Sequence, residues 1–531
     1  MEKLLHKIFG TTPEKGVQPK EAVAYSITGF GQNLICSIIG SYLTVFLTDA
    51  LLFGSDDVKF GTVTGSMAVA FLMLFTRIYD GLNDPIMGSI VDKTRTKWGK
   101  CRPYLKWMAF PIAGVTVACF LPFYDPQGVV TNHSTAVTTF VIICVLYVIW
   151  TMVYTVADVP YWGLSTCLTN DTIVRGNILT VARLACTLGA GLVTVGVPII
   201  TGAVTAKFKY VDADIPSIMA SKGITEEAAK AFVGTVKQEF IYDNANTLKW
   251  TYFICALVFV VVAVPLFFYG FKNTKERFTS TEAPPSFAHN IKLLFKNDQL
   301  LLVVISGVLG GARMVYTYTG GLYFAKYVLN NEGMYSVITL LVVPGGLVAS
   351  LLVPWMTKKF TKKWAYIAVH ILGAVTMFVM YFVGYDAKWK LVICAIGLVL
   401  LGIPQGVNNI ITYAMIGDTV DYLEWKTGER GEGICFAMQT LINKIGMAIG
   451  AFIGVFSYTW AGINPTAADG VYITAEGKET LWKLLILSGA LSMVGTIIPM
   501  LFYKITEKKQ AEMIADITAR KAAQEAEAAE A

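Results

Sequence analysis

The sequence predicts an all-α membrane protein with twelve transmembrane helices. Of its 531 residues, 55% are hydrophobic and only 15% are charged, and the mean hydropathy is +0.56. Soluble domains rarely combine so much apolar sequence with so little charge, whereas chains embedded in a bilayer require both. Inside a bilayer each backbone polar group must find its partner within the protein, which favours helices.

Apolar segments of spanning length recur along the whole chain. The twelve predicted spans cover residues 22–50, 61–91, 103–123, 137–167, 173–203, 250–271, 299–327, 334–357, 364–385, 390–421, 434–461 and 481–503. A polar cytoplasmic loop over 272–298 divides them six and six. The sequence therefore predicts one six-helix bundle over 22–271 and a second over 299–503 around a central cavity, which is the major facilitator plan.

Three further segments lie outside the spans. Residues 1–21 are polar and are predicted to be a cytoplasmic N-terminus without a cleavable signal peptide. Residues 504–531 are predicted to be a cytoplasmic tail that is largely helical. The external loop 204–249 contains helical spacing from Thr225 to Phe240 behind a capping-type start, which is typical of a lid or of a decoration on the outer face.

The net charge of +6 does not indicate nucleic-acid binding, because the basic residues are spread over short loops. They concentrate in the loops that are internal when both termini are cytoplasmic, as expected for a multi-pass protein of the cell (plasma or inner) membrane. The nine cysteines are scattered singly, without a CxxC pair or a histidine cluster, so disulfides and zinc or iron–sulfur sites are not expected. We also expect a monomer without a resident cofactor and, since no nucleophile–base pair is visible, no enzyme activity.

The second span carries charges that a membrane helix does not ordinarily contain. Arg77, Asp80 and Asp84 are three and four residues apart, so they lie on one helix face. Two carboxylates at that spacing offer oxygens to one small hard cation. The alternative is an ordinary helix end whose acids face cytoplasmic water and pair with Arg77. Each carboxylate inside a bilayer costs about 2.5–3.5 kcal/mol on insertion scales, which favours a functional explanation.

The fourth span places a carboxylate between two aromatic side chains. Asp158 is four residues from both Tyr154 and Trp162, so the three share one face. A carboxylate that accepts from hydroxyl groups beside a ring that packs on the apolar face of a pyranose suits a sugar. The alternative is that Trp162 anchors the helix at the interface and Asp158 is the structural partner of a basic residue.

Three basic residues, Arg183, Arg313 and Lys444, add positive charge inside the fifth, seventh and eleventh spans. Each could be a counter-ion only. Together with the four charged residues of the second and fourth spans they make seven ionisable groups at membrane depth, about 20 kcal/mol of unfavourable insertion. Such a set persists if the groups face one another across a hydrated cavity, which indicates a transport pathway.

Three segments together resemble the glycoside–pentoside–hexuronide:cation symporters over nearly the whole chain. They are residues 77–103, with the aspartate pair, an NDP turn and the basic loop that follows, residues 154–162, and residues 417–425. The resemblance implies that Asp80 and Asp84 hold the coupling Na⁺, Li⁺ or H⁺, with Thr155, Lys444 and Asp158 close to the cation. It also implies that Asp158, Trp162 and Arg183 hold the sugar, with Tyr154 and Lys444 beside them.

Two positions depart from the family pattern. Where the pattern has an aspartate in the first span that helps to hold the sugar, this chain has Asn33, beside Gln32. An amide still hydrogen-bonds hydroxyl groups but carries no negative charge. Arg313 is an additional cation. These departures suggest a hexuronide or another anionic saccharide paired with Arg313, while the rival explanation is that Arg313 neutralises a local acid or extends to the membrane surface.

The function predicted from these residues is cation-coupled symport of a glycoside, pentoside or hexuronide by alternating access. Its expected partners are a saccharide, the coupling cation and the lipid bilayer. One alternative is a cation-coupled carrier of a lysolipid or another small molecule, which an unusually apolar lateral opening would favour. The other is a transport-inactive membrane sensor, which would be expected to add a signalling domain.

Overall fold

The computed structural model describes residues 2–9, 11, 17–169, 172–205, 219, 225–277, 287–317, 319–429, 431–467 and 472–530. It divides into two compact units. Unit 1 comprises Met1–Glu282, Thr319–Val337 and Gly454–Leu481, and unit 2 comprises Ala283–Tyr318, Ile338–Ile453 and Trp482–Ala531.

The described part of the first 282 residues contains nine helices. They are α1 Glu2–Phe9, α2 Pro19–Val45, α3 Gly65–Lys93, α4 Arg102–Trp107, α5 Ala109–Cys119, α6 Pro126–Thr131, α7 His133–Leu168, α8 Thr172–Thr205 and α9 Glu226–Asn273. A π-helical turn, Phe46–Ala50, extends α2. Beyond it the strands β1 (Lys59–Phe60) and β2 (Val63–Thr64) form a short antiparallel hairpin.

The remaining helices are divided between the units. They are α10 Phe287–Lys296, α11 Asp298–Leu309, α12 Thr319–Tyr323, α13 Met334–Lys359, α14 Lys362–Val383, α15 Lys388–Thr427, α16 Glu432–Trp460, α17 Ala475–Leu501 and α18 Glu507–Glu530. A 3₁₀ segment, Gly310–Thr317, follows α11, and a π-helical turn, Phe324–Val328, follows α12.

All twelve predicted spans lie on these helices. Within the described residues nine helices are long and apolar enough to cross a membrane. The other three predicted spans differ for visible reasons: the second, α3, carries charged residues, the third breaks at Met108 between α4 and α5, and the seventh breaks at Gly310. The consecutive glycines Gly310 and Gly311 explain the last break, because glycine is a poor helix former.

Helix α2 is central to unit 1, whereas its neighbours face lipid. Of the most apolar stretch of α2, 72% is buried, against 33% for α7, α8 and α9. Leu184, Leu188 and Leu192 follow one another at four-residue spacing on α8 and are all exposed. An exposed leucine stripe of this kind is expected where hydrocarbon is the solvent.

The helix of the sixth span extends into the predicted external loop 204–249, which differs from the expectation. The predicted helix from Thr225 to Phe240 is present, and the Thr225 hydroxyl caps it by accepting from the backbone N–H of Ala228 at 3.3 Å. It is not a separate element, however, because α9 continues without interruption to Asn273. Most of 206–224 lies outside the described residues.

Candidate functional site

Helix α7 carries the residues around which the candidate site in unit 1 is built. Tyr154, Thr155 and Asp158 are buried, and Trp162 is half-buried. Tyr154, Asp158 and Trp162 recur every four residues, so their side chains stack on one face, and Thr155 lies on the adjoining face. Pro160 within this stretch removes one helical hydrogen bond, which leaves a backbone carbonyl without its usual partner one turn earlier.

Asp80 lies in a buried polar pocket between α3 and α7. Its side chain is fully buried and accepts a hydrogen bond at Oδ1 from the Thr155 hydroxyl at 2.9 Å. Its Oδ2 lies 3.6 Å from Nη1 of Arg77, which is itself buried. The guanidinium carbon of Arg77 lies 6.0 Å from the ring centroid of Trp150. Asp80 therefore pairs with Arg77, as the helix-end alternative expected, but it does not face water.

Asp84 lies one turn beyond Asp80 on the same face of α3 and is half-buried. An oxygen-rich pocket with carboxylates on two successive turns and a threonine hydroxyl can receive a proton or a small hard cation. Because Arg77 already neutralises Asp80, a bound cation has to share that carboxylate with the guanidinium.

Asp158 gathers donors from two helices on one oxygen. Its Oδ1 accepts from Nε2 of Gln32 at 2.5 Å, from Nε1 of Trp162 at 3.1 Å and from the Tyr154 hydroxyl at 3.3 Å. All three donors are neutral, so they hold the carboxylate in place without cancelling its charge. The guanidinium carbon of Arg183 lies 5.6 Å from the Trp162 ring centroid, within cation–π range.

The two amides of the first span behave differently. Gln32 is buried and reaches across to Asp158, whereas the half-buried Asn33 donates from Nδ2 to the carbonyl of Gly29 on its own helix at 3.1 Å. Gln32 thus occupies the position in the polar cluster that the sequence analysis assigned mainly to Asn33. Adjacent residues on a helix point about 100° apart, so the rotation of α2 decides between them.

The cation pocket and the Asp158 cluster are adjacent because one helix serves both. Thr155 and Asp158 are three residues apart, about 4.5 Å along the helix axis. A shift of α7 that moves Thr155 relative to Asp80 therefore moves Asp158 as well. The geometry can couple the occupancy of one site to the affinity of the other.

Trp150 is a site residue that the sequence analysis missed. Its ring is fully buried, stacks on Tyr154 with centroids 5.0 Å apart, and lies beneath Arg77. Its indole N–H donates to the Thr116 hydroxyl at 2.8 Å. The four-residue spacing that links Trp150, Tyr154, Asp158 and Trp162 was a signal that could have identified it.

Two predicted site residues belong to unit 2. Lys444 is buried on α16, where the neighbouring Gln439 donates to Asn443 at 3.3 Å. Arg313 lies on the 3₁₀ segment and donates from Nη1 to the Gly310 carbonyl at 2.9 Å. The roles of these residues at the site stay predictions.

Comparisons with known proteins identify the family of the chain. The family described as MFS/sugar transport protein matches residues 24–507. The isoprimeverose transporter of Lactiplantibacillus pentosus is 26% identical over 95% of this chain and 92% of its own length, and the glucuronide carrier protein homolog of Escherichia coli (strain K12) is 25% identical over 95% and 96%.

Solved structures support the fold independently of sequence. The xylose transporter XylE from E. coli aligns with 93% of this chain and 98% of its own, with a TM-score of 0.55 at 11% identity. The major facilitator fold is therefore confirmed, and the chain is a multi-pass membrane protein. It belongs to the MFS/sugar transport protein family, among the glycoside–pentoside–hexuronide:cation symporters.

Proposed function

We propose that this protein is a secondary active transporter that couples entry of Na⁺ or H⁺ to uptake of a glycoside, pentoside or hexuronide by alternating access. The observation that carries the proposal is that α7 presents Thr155 to Asp80 and, one turn later, Asp158 to Gln32. The cation pocket and the sugar cluster thereby share one rigid element.

In this mechanism the cation binds between Asp80, Asp84 and Thr155, with Asp158 close by on α7. The sugar places hydroxyl groups on Asp158 and Gln32 and packs against Trp162, while Tyr154 and Arg183 complete the polar surroundings in unit 1. Each net positive charge that enters gains about 2.3 kcal/mol per 100 mV of membrane potential. The protein acts as a monomer in the cell membrane, with both termini cytoplasmic, and performs transport without a catalytic reaction.

The test is counterflow in proteoliposomes with labelled neutral glycosides, pentosides and glucuronides, with and without Na⁺, at two pH values. One sugar class should exchange faster when Na⁺ or H⁺ is supplied. Asp80→Asn and Asp84→Cys should abolish the cation stimulation while leaving some exchange, and Asp158→Asn should abolish sugar exchange. Asp386→Asn is the matched control, because Asp386 is an exposed acid paired with Lys390. Undiminished stimulation in both acid variants would contradict the assignment.

The charge of the sugar is the finer part of this proposal. Arg313 is a positive charge that the family pattern lacks, and one relative is named a glucuronide carrier protein homolog. A glucuronide is anionic. We propose that the Arg313 guanidinium, whose planar geometry matches a carboxylate, pairs with a sugar carboxylate. Arg313→Gln should then lower glucuronide exchange about tenfold and leave neutral glycosides unaffected. Equal glucuronide exchange in the variant would leave Arg313 with a local structural role.

An apolar groove on unit 1 favours a second candidate, a cation-coupled lysolipid carrier. The groove, about 660 Å³, lies between α3 and α7 and is lined by side chains such as Phe71, Phe75 and Phe140. Its size suits one acyl chain. Adding a labelled lysolipid to the counterflow panel distinguishes the candidates, because the polar cluster at Asp158 predicts exchange of sugars and none of the lipid.

A further inference from the structure

The outer end of unit 1 contains two segments that the chain order places in the second half of the sequence, Thr319–Val337 and Gly454–Leu481. Both pack on the ends of helices from the first half. The side chains that join them are buried, polar and charged, and the sugar and cation clusters use none of them. They form a separate cluster, which we call the outer cluster: Thr48, Asp49, Thr201, Tyr323, Lys326, Tyr327 and Glu332.

An ion pair lies at the centre of the outer cluster. Asp49, in the π-helical turn after α2, has a side chain that is 1% exposed. Its Oδ2 forms a salt bridge with Lys326 and accepts from the Tyr327 hydroxyl at 2.8 Å. Both partners lie in the π-helical turn after α12. One carboxylate thus joins the outer end of the first span to the outer end of the seventh.

A hydroxyl relay extends the ion pair. Thr48 donates to Oδ1 of Asp49 at 2.7 Å, so its own oxygen accepts from the Tyr323 hydroxyl at 2.9 Å. Residues 323–327 therefore contact Oδ2 of Asp49 directly, and they contact Oδ1 indirectly through the Thr48 hydroxyl.

A second carboxylate faces the same lysine. Glu332 is buried in the turn before α13 and accepts from the Thr201 hydroxyl of α8 at 2.5 Å. The charged groups that face it are Lys326 and Asp49, and the buried tyrosines Tyr42 and Tyr252 approach it from α2 and α9. Two acids therefore share one ammonium group, which leaves the cluster one negative charge in excess when both are ionised.

The second segment is joined by hydrogen bonds and by aromatic packing, since the buried ring of Tyr458 lies 4.6 Å from that of Tyr323, centroid to centroid. Thr459 donates to Ser66 at 2.8 Å, and Ser55 and Thr466 are 2.6 Å apart. Gly54 allows the close approach of Tyr458, since a β-carbon there would lie 2.2 Å from the tyrosine hydroxyl. The hydrogen bonds among these contacts can be exchanged for water with little net cost.

A buried ion pair contributes little net free energy to a closed state, so a contact of this kind can break and form again. The free energy of removing two charges from water roughly offsets their attraction, so paired and separated states are close in energy. A transporter that alternates between openings needs contacts of this kind at each end, because a strongly favoured closed state would not reopen.

We infer that the outer cluster is a reversible latch of the external gate, in which Lys326 draws Asp49 and Glu332 together and shuts the outer end of unit 1. Breaking the salt bridge releases residues 319–337 and admits sugar and cation from outside. The latch lies apart from the sugar and cation clusters, and its action does not depend on which solute is carried.

Protonation of Glu332 gives the latch a pH dependence. Burial raises the pKa of Glu332, against which Lys326 and Thr201 lower it, while Asp49 raises it further. Opening exposes Glu332 to water and returns its pKa towards the ordinary value of about 4.3. The closed state therefore binds the proton more tightly, so acid outside favours closure and rising pH favours opening.

The test measures access from outside in whole cells, without added solute. The reporter is Ser41→Cys: Ser41 is buried, and it lies seven residues before Thr48 on the same face of α2, two turns further in. Labelling by a membrane-impermeant maleimide should rise at least fivefold in Lys326→Gln and about twofold in Tyr327→Phe. Lys326→Arg should stay at the parent level, and Glu332→Gln should remove the dependence on external pH between about 5.5 and 8.

Three controls make the result decisive. The parent without the reporter measures labelling of the native cysteines, and a permeant maleimide after denaturation measures total protein. Lys390→Gln removes the exposed Lys390–Asp386 pair and should leave labelling unchanged. If Lys326→Gln does not fold, Tyr327→Phe and Glu332→Gln decide. Parent-level labelling in folded Lys326→Gln and Tyr327→Phe would overturn the latch, whereas counterflow alone tests the transport proposal.

Discussion

At the scale of single residues, Oδ1 of Asp158 is held in position by three hydrogen bonds. Gln32, Tyr154 and Trp162 all donate to it, and none of them brings a charge of its own. These three hydrogen bonds fix the position of the carboxylate on α7. Asp80 differs, because Arg77 pairs with it in the same buried pocket.

The contrast between Gln32 and Asn33 leads to a prediction about sugar affinity. Gln32→Leu removes a hydrogen bond to a buried carboxylate, which is worth about 1.5–3 kcal/mol. Sugar affinity should fall about tenfold or more. Asn33→Leu should change it less than about threefold, since the Asn33 amide is directed to its own helix. Equilibrium binding to purified protein measures both, and the reverse ranking would show that α2 is rotated in the sugar-bound state.

At the scale of elements, one carboxylate of unit 1 holds the end of α9 to the loop that follows α3. Glu276 accepts from the backbone N–H groups of Lys100, Cys101 and Arg102 at 2.9, 2.8 and 2.5 Å, and so caps the N-terminus of α4. Gly99 precedes them with φ +109°, and a β-carbon there would lie 2.3 Å from this carboxyl carbon. The basic loop that follows α3 is therefore fixed to the end of α9.

This cap predicts a loss of stability that is separate from transport chemistry. Glu276→Gln turns an acceptor of three N–H groups into an amide that must present some of its own donors, which should cost about 2–4 kcal/mol. The thermal midpoint of the purified protein in detergent should fall. Glu512→Gln, in an exposed pair with Lys509, is the control and should leave it unchanged. An unaltered midpoint for Glu276→Gln would mean that water replaces the cap without penalty.

The helices also show which parts of the fold could be predicted from the sequence. Apolar length located the helices, since the bilayer imposes that length, and the capping pattern at Thr225 located the start of α9. The continuity of α9 across 226–273 was not predicted, because polar sequence between Phe240 and the apolar part resembles a loop. Packing of Ile241 and Ala245 against Leu52 stabilises that stretch, and such a contact between distant residues leaves no local pattern.

At the scale of the whole molecule, the shared helix α7 allows the binding of the cation and the binding of the sugar to change each other's affinity. Helix α7 donates a hydrogen bond to Asp80 through Thr155, and the same helix carries Asp158. If the cation raises sugar affinity by some factor, the sugar must raise cation affinity by the same factor.

Thr155→Val should reduce this factor. The variant keeps the side-chain shape but removes the hydroxyl that donates to Asp80, so both affinities should become less dependent on the other ligand. Calorimetric titration of sugar with and without Na⁺, and of Na⁺ with and without sugar, yields the two factors. Thr166→Val, an exposed threonine on the same helix, should leave them at the parent value. An unchanged factor in Thr155→Val would remove α7 as the coupling element.

The sequence by itself determined the membrane class, the positions of the spans, the polar faces of α3 and α7 and, through their motifs, the family. It could do so because hydrocarbon length and helical periodicity are local properties of a chain. Only the tertiary structure decided that Gln32 rather than Asn33 reaches Asp158, and that residues 319–337 and 454–481 pack with the first half. The physical reason is that helix rotation and the pairing of Asp49 with Lys326 depend on packing between residues far apart in the chain.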